Sequence, residues 1–200
     1  MYLDYFISLI GIMVFLFTFW RSLKEDYVTS HIFTTAFYSL TGLLLGYLIS
    51  RVAFGQWWFW TTSLGIVIGL CIGVYRYKLR FYEVLESAVK AYLPWYIILM
   101  ILNFYKSPEI GEIMMIAIGA LLLILFQLLN SHYKNFSWYK SGKIGFAGIC
   151  VLGVFFLTKA VIAIYFPNMV SFSGSWEVFV SSLAAFFAFL GLFNLARLKS

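Results

Sequence analysis

Read for hydrophobic and polar positions, the chain breaks into seven apolar segments at about 2–20, 31–54, 57–75, 81–105, 110–129, 144–166 and 175–196. Short polar connections separate them: Arg21 to Ser30, Gly55 to Gln56, Arg76 to Arg80, Lys106 to Glu109, Asn130 to Gly142 and Pro167 to Gly174. A transmembrane helix needs about 20 apolar residues, because about 30 Å of hydrocarbon is crossed at about 1.5 Å per residue. The segment at 81–105 falls short of that. It follows a basic run (Arg76, Lys78, Arg80), carries Glu83, Glu86 and Lys90, meets Pro94, and has only Trp95 to Leu102 as an uninterrupted apolar run before Asn103 and Lys106. To cross, it must take its charges into the bilayer under the shelter of other helices. Otherwise it is an amphipathic, half-membrane helix. Polar groups at such depth are costly unless they face protein or water, so Glu83, Glu86 and Lys90 mark a candidate site.

Composition agrees with the pattern and excludes a soluble domain: 63% of residues are hydrophobic, 11% are charged, and the mean hydropathy is +0.93. The expected fold class is an all-α integral membrane protein, a seven-helix transmembrane bundle in which residues 1–200 form one domain. The net charge of +6 matters through its distribution. Alternate connections place Arg21, Lys24, Arg76, Lys78, Arg80, Lys90, Lys134, Lys140, Lys143, Arg197 and Lys199 on one side, against Arg51, Lys106 and Lys159 on the other. The positive-inside rule then sets the N-terminus outside and the C-terminus in the cytoplasm. Trp57, Trp58, Trp60 and Trp176 fall at the outer interface, and Trp138 with Tyr139 at the inner one. The first segment carries Asp4, and its basic residues follow the apolar run, so it is expected to stay as a helix rather than be cleaved. Gly42 with Gly46, Gly65 with Gly69, and Gly69 with Gly73 are four apart, the spacing that lets helix backbones approach.

Candidate chemistry is sparse. There is no Walker loop, dinucleotide fingerprint, His-Glu-x-x-His or Cys/His set, so neither a metal nor another cofactor is expected, and nothing points to nucleic acid. Cys71 and Cys150 lie inside spans as small hydrophobes, and His31 and His132 lie at cytoplasmic helix ends. The outer half holds more. Lys159 lies about 24 Å up the sixth segment from Lys143, Arg51 closes the second segment, and Lys106 closes the fourth, with Asn103, Glu109, Glu112 and Glu177 at the same level. Cations gathered around Asn103 would hold a phosphate through charge-assisted hydrogen bonds, and the ligand so implied is an anionic lipid headgroup. Snorkelling of each cation to the nearest phosphate is the bland alternative.

The order of features resembles the prolipoprotein diacylglyceryl transferase family, seven-helix bacterial membrane enzymes, over nearly the whole chain. Gly42-Leu-Leu-Leu-Gly46-Tyr-Leu48-Ile-Ser-Arg51-Val-Ala-Phe54 stands where the family has a Gly-Ala-Arg-Leu-Gly-Tyr-like run. Ser63-Leu-Gly65-Ile-Val-Ile-Gly69 stands for its His-Gly-Gly-Leu-Ile-Gly. Glu86 to Pro94 and then Leu99-Met100-Ile101-Leu102-Asn103-Phe104 answer its acidic, Pro-containing segment and Gly-Arg-Ile-Gly-Asn-Phe. Pro108-Glu-Ile-Gly-Glu112, Lys140-Ser-Gly-Lys-Ile-Gly145, Leu152-Gly153 and Ser173-Gly-Ser-Trp-Glu177 follow in family order. Several diagnostic side chains differ. The family's His falls on Ser63, its Arg before Asn on Met100, its second-helix Arg near Leu48, its sixth-helix Arg near Phe156 and the following Glu near Ala160; Asn103 is retained.

The resemblance implies a protein of the bacterial cytoplasmic (inner) membrane. It would bind phosphatidylglycerol at the outer leaflet and transfer its diacylglyceryl group to the Cys thiol of a lipoprotein precursor. Carried onto this sequence, Asn103, Arg51, Lys159 and Glu112 would serve the transfer, and Arg51, Lys106, Lys159, Tyr5 and Ser63 would hold the lipid. Arg51 and Lys159 each lie three residues beyond a missing family Arg, about one helical turn, and so return to nearly the same helix face. A serine without assistance cannot replace the missing histidine as a base at neutral pH. Two readings follow: residual transferase activity, and a catalytically silent lipid-binding or scaffold protein. A small transporter would call for an internal repeat and paired broken helices, which the sequence lacks.

Overall fold

The computed structural model describes residues 2–106, 108, 110–136, 139, 144–165 and 176–197. Glu109, Trp138, Lys140, Lys143 and Lys199, singled out above, lie outside them. The described chain is helical, with no strand among the described residues. Its long helices are α1 (Tyr2–Leu23), α2 (Thr29–Ala53), α3 (Trp58–Tyr77), α4 (Phe81–Lys106), α5 (Ile110–His132), α6 (Phe146–Tyr165) and α7 (Trp176–Arg197). Single 3-10 turns at Gly55–Trp57 and Tyr133–Asn135 complete the described structure. All seven helices are long and apolar enough to cross a membrane. Large apolar side chains such as Phe37, Val52, Leu121, Ile164 and Phe186 line the outside of the bundle, where a soluble protein would present polar groups. This is the construction of a multi-pass membrane protein.

The tightest seam joins α2 to α3, and its cause is legible residue by residue. A Cβ added to Gly42 would strike the carbonyl of Gly65, and one added to Gly65 would strike that of Gly42. Further along the seam, a Cβ on Gly69 would meet the carbonyl of Tyr38. Without a hydrophobic drive between helices in lipid, such backbone contact supplies the dispersion energy that holds a pair together. The Gly spacing read from the sequence therefore does pack two helices, and they are neighbours in the chain.

The next closest pairs are α6 with α7, α1 with α4 and α4 with α5. α4 also touches α3 and α6, so it lies at the middle of the bundle. One core cluster gathers Phe15, Phe19, Ile32, Leu70, Val84 and Trp95 from α1 to α4. A second gathers Leu93, Leu122, Phe126, Ala147 and Val151 from α4, α5 and α6.

This central position explains how α4 carries its charges. The structure has it as one continuous helix of 26 residues with Pro94 inside, about 39 Å long and so longer than the hydrocarbon layer. Its polar first half is not set against lipid, because Glu83 and Glu86 are both buried against neighbouring elements.

Candidate functional site

Three groups of polar side chains sit where the helices bring charge together. The first is built on Glu83. Its carboxylate accepts a hydrogen bond from the Tyr27 hydroxyl at 2.5 Å and another from the Arg80 guanidinium at 2.9 Å, while the Arg80 backbone N–H donates to the Tyr27 oxygen at 3.1 Å. The connection between α1 and α2 is thereby tied to the start of α4. Burial and the hydrogen bond to Glu83 push the Tyr27 phenol up to about 12. The hydrogen bond and charge of Glu83 also hold Arg80 above its ordinary range, although that side chain is largely in the open.

The second group is built on Glu86. One of its carboxylate oxygens accepts the backbone N–H of Gly145 at 2.9 Å and of Gly148 at 3.3 Å. These are the residue before α6 and the third residue within it, whose N–H groups have no partner inside the helix. Glu86 thus caps α6 from another helix, with its negative charge at the positive end of the α6 dipole. Gly145 makes this possible, since its backbone is at φ 123°, a region closed to most side chains. One helical turn further along α4, Lys90 is half-buried. Both line a cavity of about 390 Å³ whose wall also includes Ser22 of α1, Ser87 of α4, Asn130 of α5 and Tyr133 of the 3-10 turn after it.

The third group is a buried ion pair. Lys159 of α6 and Glu177 in the first turn of α7 are 2% and 0% exposed, and the ammonium donates to the carboxylate. Glu177 also accepts from the Trp60 indole N–H at 3.0 Å and the Ser181 hydroxyl at 2.9 Å. The ammonium lies 3.8 Å from the centre of the Phe59 ring and 4.9 Å from that of Trp60. A carboxylate at the N-terminus of α7 and a cation over aromatic faces are each placed where the local field favours them.

The residues selected from the sequence are distributed differently. Lys159 is committed to Glu177. Arg51 is exposed and folds back on its own helix, donating to the Tyr47 hydroxyl at 3.0 Å and covering its ring. Asn103 and Lys106 are exposed near the end of α4, while Ser63 of α3 and Glu112 of α5 are half-buried. Tyr5 lies in α1. The crevice beside Lys159 holds about 10 Å³, roughly the space of one water and too little for a phosphate headgroup. Comparison with known protein families, with characterised proteins and with solved structures gives no match. Among the described residues, no group of three or more His, Cys, Asp or Glu side chains could hold a metal.

Two features escaped the sequence reading. Lys159 and Glu177 were placed at one level but not paired, although they flank the connection between consecutive helices and a buried charge must find its opposite. Glu86 was marked as a costly polar group, but nothing in sequence spacing links it to a helix start 59 residues away.

Proposed function

We propose that this protein is a seven-span protein of the bacterial cytoplasmic membrane that binds anionic phospholipid such as phosphatidylglycerol and has the diacylglyceryl transferase architecture without its turnover. The N-terminus lies outside and the C-terminus in the cytoplasm. The polar first half of α4 enters from the cytoplasmic side, and its apolar second half carries Asn103 to the outer leaflet. Arg51 and Lys106 serve as headgroup contacts there, since exposed cations at the ends of apolar helices meet lipid phosphates.

The observation that carries the silent reading is the Lys159–Glu177 pair. Transfer requires a cation that is free to stabilise the departing lipid phosphate, and Lys159, the buried cation of α6, is already neutralised by Glu177. The test incubates purified protein with phosphatidylglycerol and a Cys-containing lipoprotein precursor peptide, and records the peptide mass together with the lipid that co-purifies. The expected result is an unmodified peptide and enrichment of anionic lipid that falls in the double variant Arg51→Ala, Lys106→Ala. A diacylglyceryl mass shift would overturn silence; lipid content unmoved by the double variant would overturn the contacts.

Residual transfer is favoured by a separate observation, the placing of Glu112 within electrostatic range of the buried Tyr96 hydroxyl at the α4–α5 contact. On that reading Glu112 and Asn103 act together, and Glu112→Gln abolishes the mass shift.

A further inference from the structure

The cavity beside Glu86 lies at the opposite end of the bundle from the lipid contacts just described. Its size, about 390 Å³, falls in the range of small-ligand sites, and helices α1, α4 and α5 each contribute polar side chains to its wall. Its two opposite charges are engaged unequally. Glu86 is spoken for: two backbone N–H groups at the start of α6 donate to its carboxylate. Lys90, one turn along the same helix face, makes no ion pair or hydrogen bond among the described residues and feels Glu86 only through space.

Of the two opposite charges on the wall, the carboxylate is turned to the start of α6, and the Lys90 ammonium is the one left without a hydrogen-bonded partner among the described residues. Around it stand polar groups that can donate. The Ser22 hydroxyl oxygen is buried without a hydrogen-bond partner, a state that is costly unless something fills it. The Asn130 amide also has no partner among the described residues.

From this arrangement we infer that the cavity binds a phosphate-bearing group, with Lys90 meeting its charge and Ser22 and Asn130 donating hydrogen bonds to its oxygens. The three groups come from three helices, so they can donate to different oxygens of one phosphate. The ligand is a phosphate ester, supplied either as a lipid headgroup or as a soluble molecule.

The experiment uses the full chain in detergent, stripped of lipid, and follows binding by titration calorimetry with short-chain phosphatidylglycerol, glycerol 3-phosphate and inorganic phosphate in separate arms. Wild type is expected to bind in at least one arm, with affinity at least tenfold weaker in Lys90→Gln and severalfold weaker in Ser22→Ala. Binding of the short-chain lipid alone identifies a headgroup site. Binding of glycerol 3-phosphate or inorganic phosphate as well identifies one open to soluble phosphates. Lys24→Gln removes an exposed cation beyond the end of α1 and is expected to change nothing. The proposal is overturned if folded wild type binds in no arm, if Lys90→Gln and Ser22→Ala bind as wild type does, or if Lys24→Gln weakens binding as much as Lys90→Gln. Matching unfolding temperatures and gel-filtration profiles establish that each variant is folded.

Discussion

Lys159→Met removes the ammonium from the most deeply buried charge pair and leaves Glu177 where no solvent reaches it. The carboxylate keeps its hydrogen bonds from Trp60 and Ser181 and its place at the start of α7, which soften the loss without cancelling it. Removing one member of a buried pair costs about 3–5 kcal/mol, and those compensations set the expectation near the lower bound, about 3 kcal/mol. In a protein of this length that is a fall of roughly 6–12 °C in unfolding temperature. Glu177→Gln strands the ammonium instead and is expected to cost a similar amount. The double variant has no charge to strand, so its cost should fall short of the summed single costs by about 2–3 kcal/mol.

The assay is a double-mutant cycle on unfolding in one detergent, read by fluorescence. Trp60 itself reports the site, because its indole N–H is bonded to Glu177. If both single variants unfold within about 0.5 kcal/mol of wild type and the double variant is additive, the pair is not structural. Lys159 would then return as a cation available to lipid phosphate.

Three further outcomes follow from local geometry. Gly65→Val should drive α2 and α3 apart at the carbonyl of Gly42, costing about 1–3 kcal/mol or more and abolishing a crosslink engineered across that seam. Gly145→Ala puts a methyl group 2.7 Å from the Tyr82 Cβ at a positive φ, so about 1–3 kcal/mol of destabilisation is expected, together with faster amide exchange at Gly148 as the Glu86 cap loosens. Tyr27 prefers its proton more in the folded state than in the unfolded one. Its stabilising contribution is therefore complete below about pH 10 and lost as pH rises from about 10 to about 12. Carbon NMR of ring-labelled tyrosine, with Tyr27→Phe for assignment, should show one phenol titrating near 12, and a value near 10 would refute the link to Glu83.

Run length and hydropathy were enough to find the seven spans, because in lipid a helix must satisfy its own backbone and be apolar for its whole crossing. The same count misjudged α4 because it treats each helix as a lone cylinder in hydrocarbon. α4 is surrounded by four other helices, so Glu86 meets the start of α6 and Glu83 meets Tyr27 rather than lipid. Apolar length is a sound test for a helix at the rim of a bundle and a poor one for a helix at its centre.

The cations that the sequence sets at the outer face show a different limit, one of direction rather than depth. Counting residues set Arg51, Asn103 and Lys159 near one level, but a level says nothing of which way a side chain points. For Arg51 the direction was available. Gly42 and Gly46 face α3, and at about 100° per residue Arg51 lies about 140–180° around the helix from them, on the side away from that seam. Its exposure follows from the same glycines that fix the helix pair. For Lys159 the missing step was energetic: a cation at that depth needs an acid, and Glu177 opens the very next helix. Depth, rotation and charge balance taken together separate an exposed cation at a helix end from one that holds two helices together. By those three measures Lys159 belongs to the second kind, Arg51 is an exposed cation folded against Tyr47, and Lys90 stands half-buried in a cavity wall beside a carboxylate engaged with the start of α6.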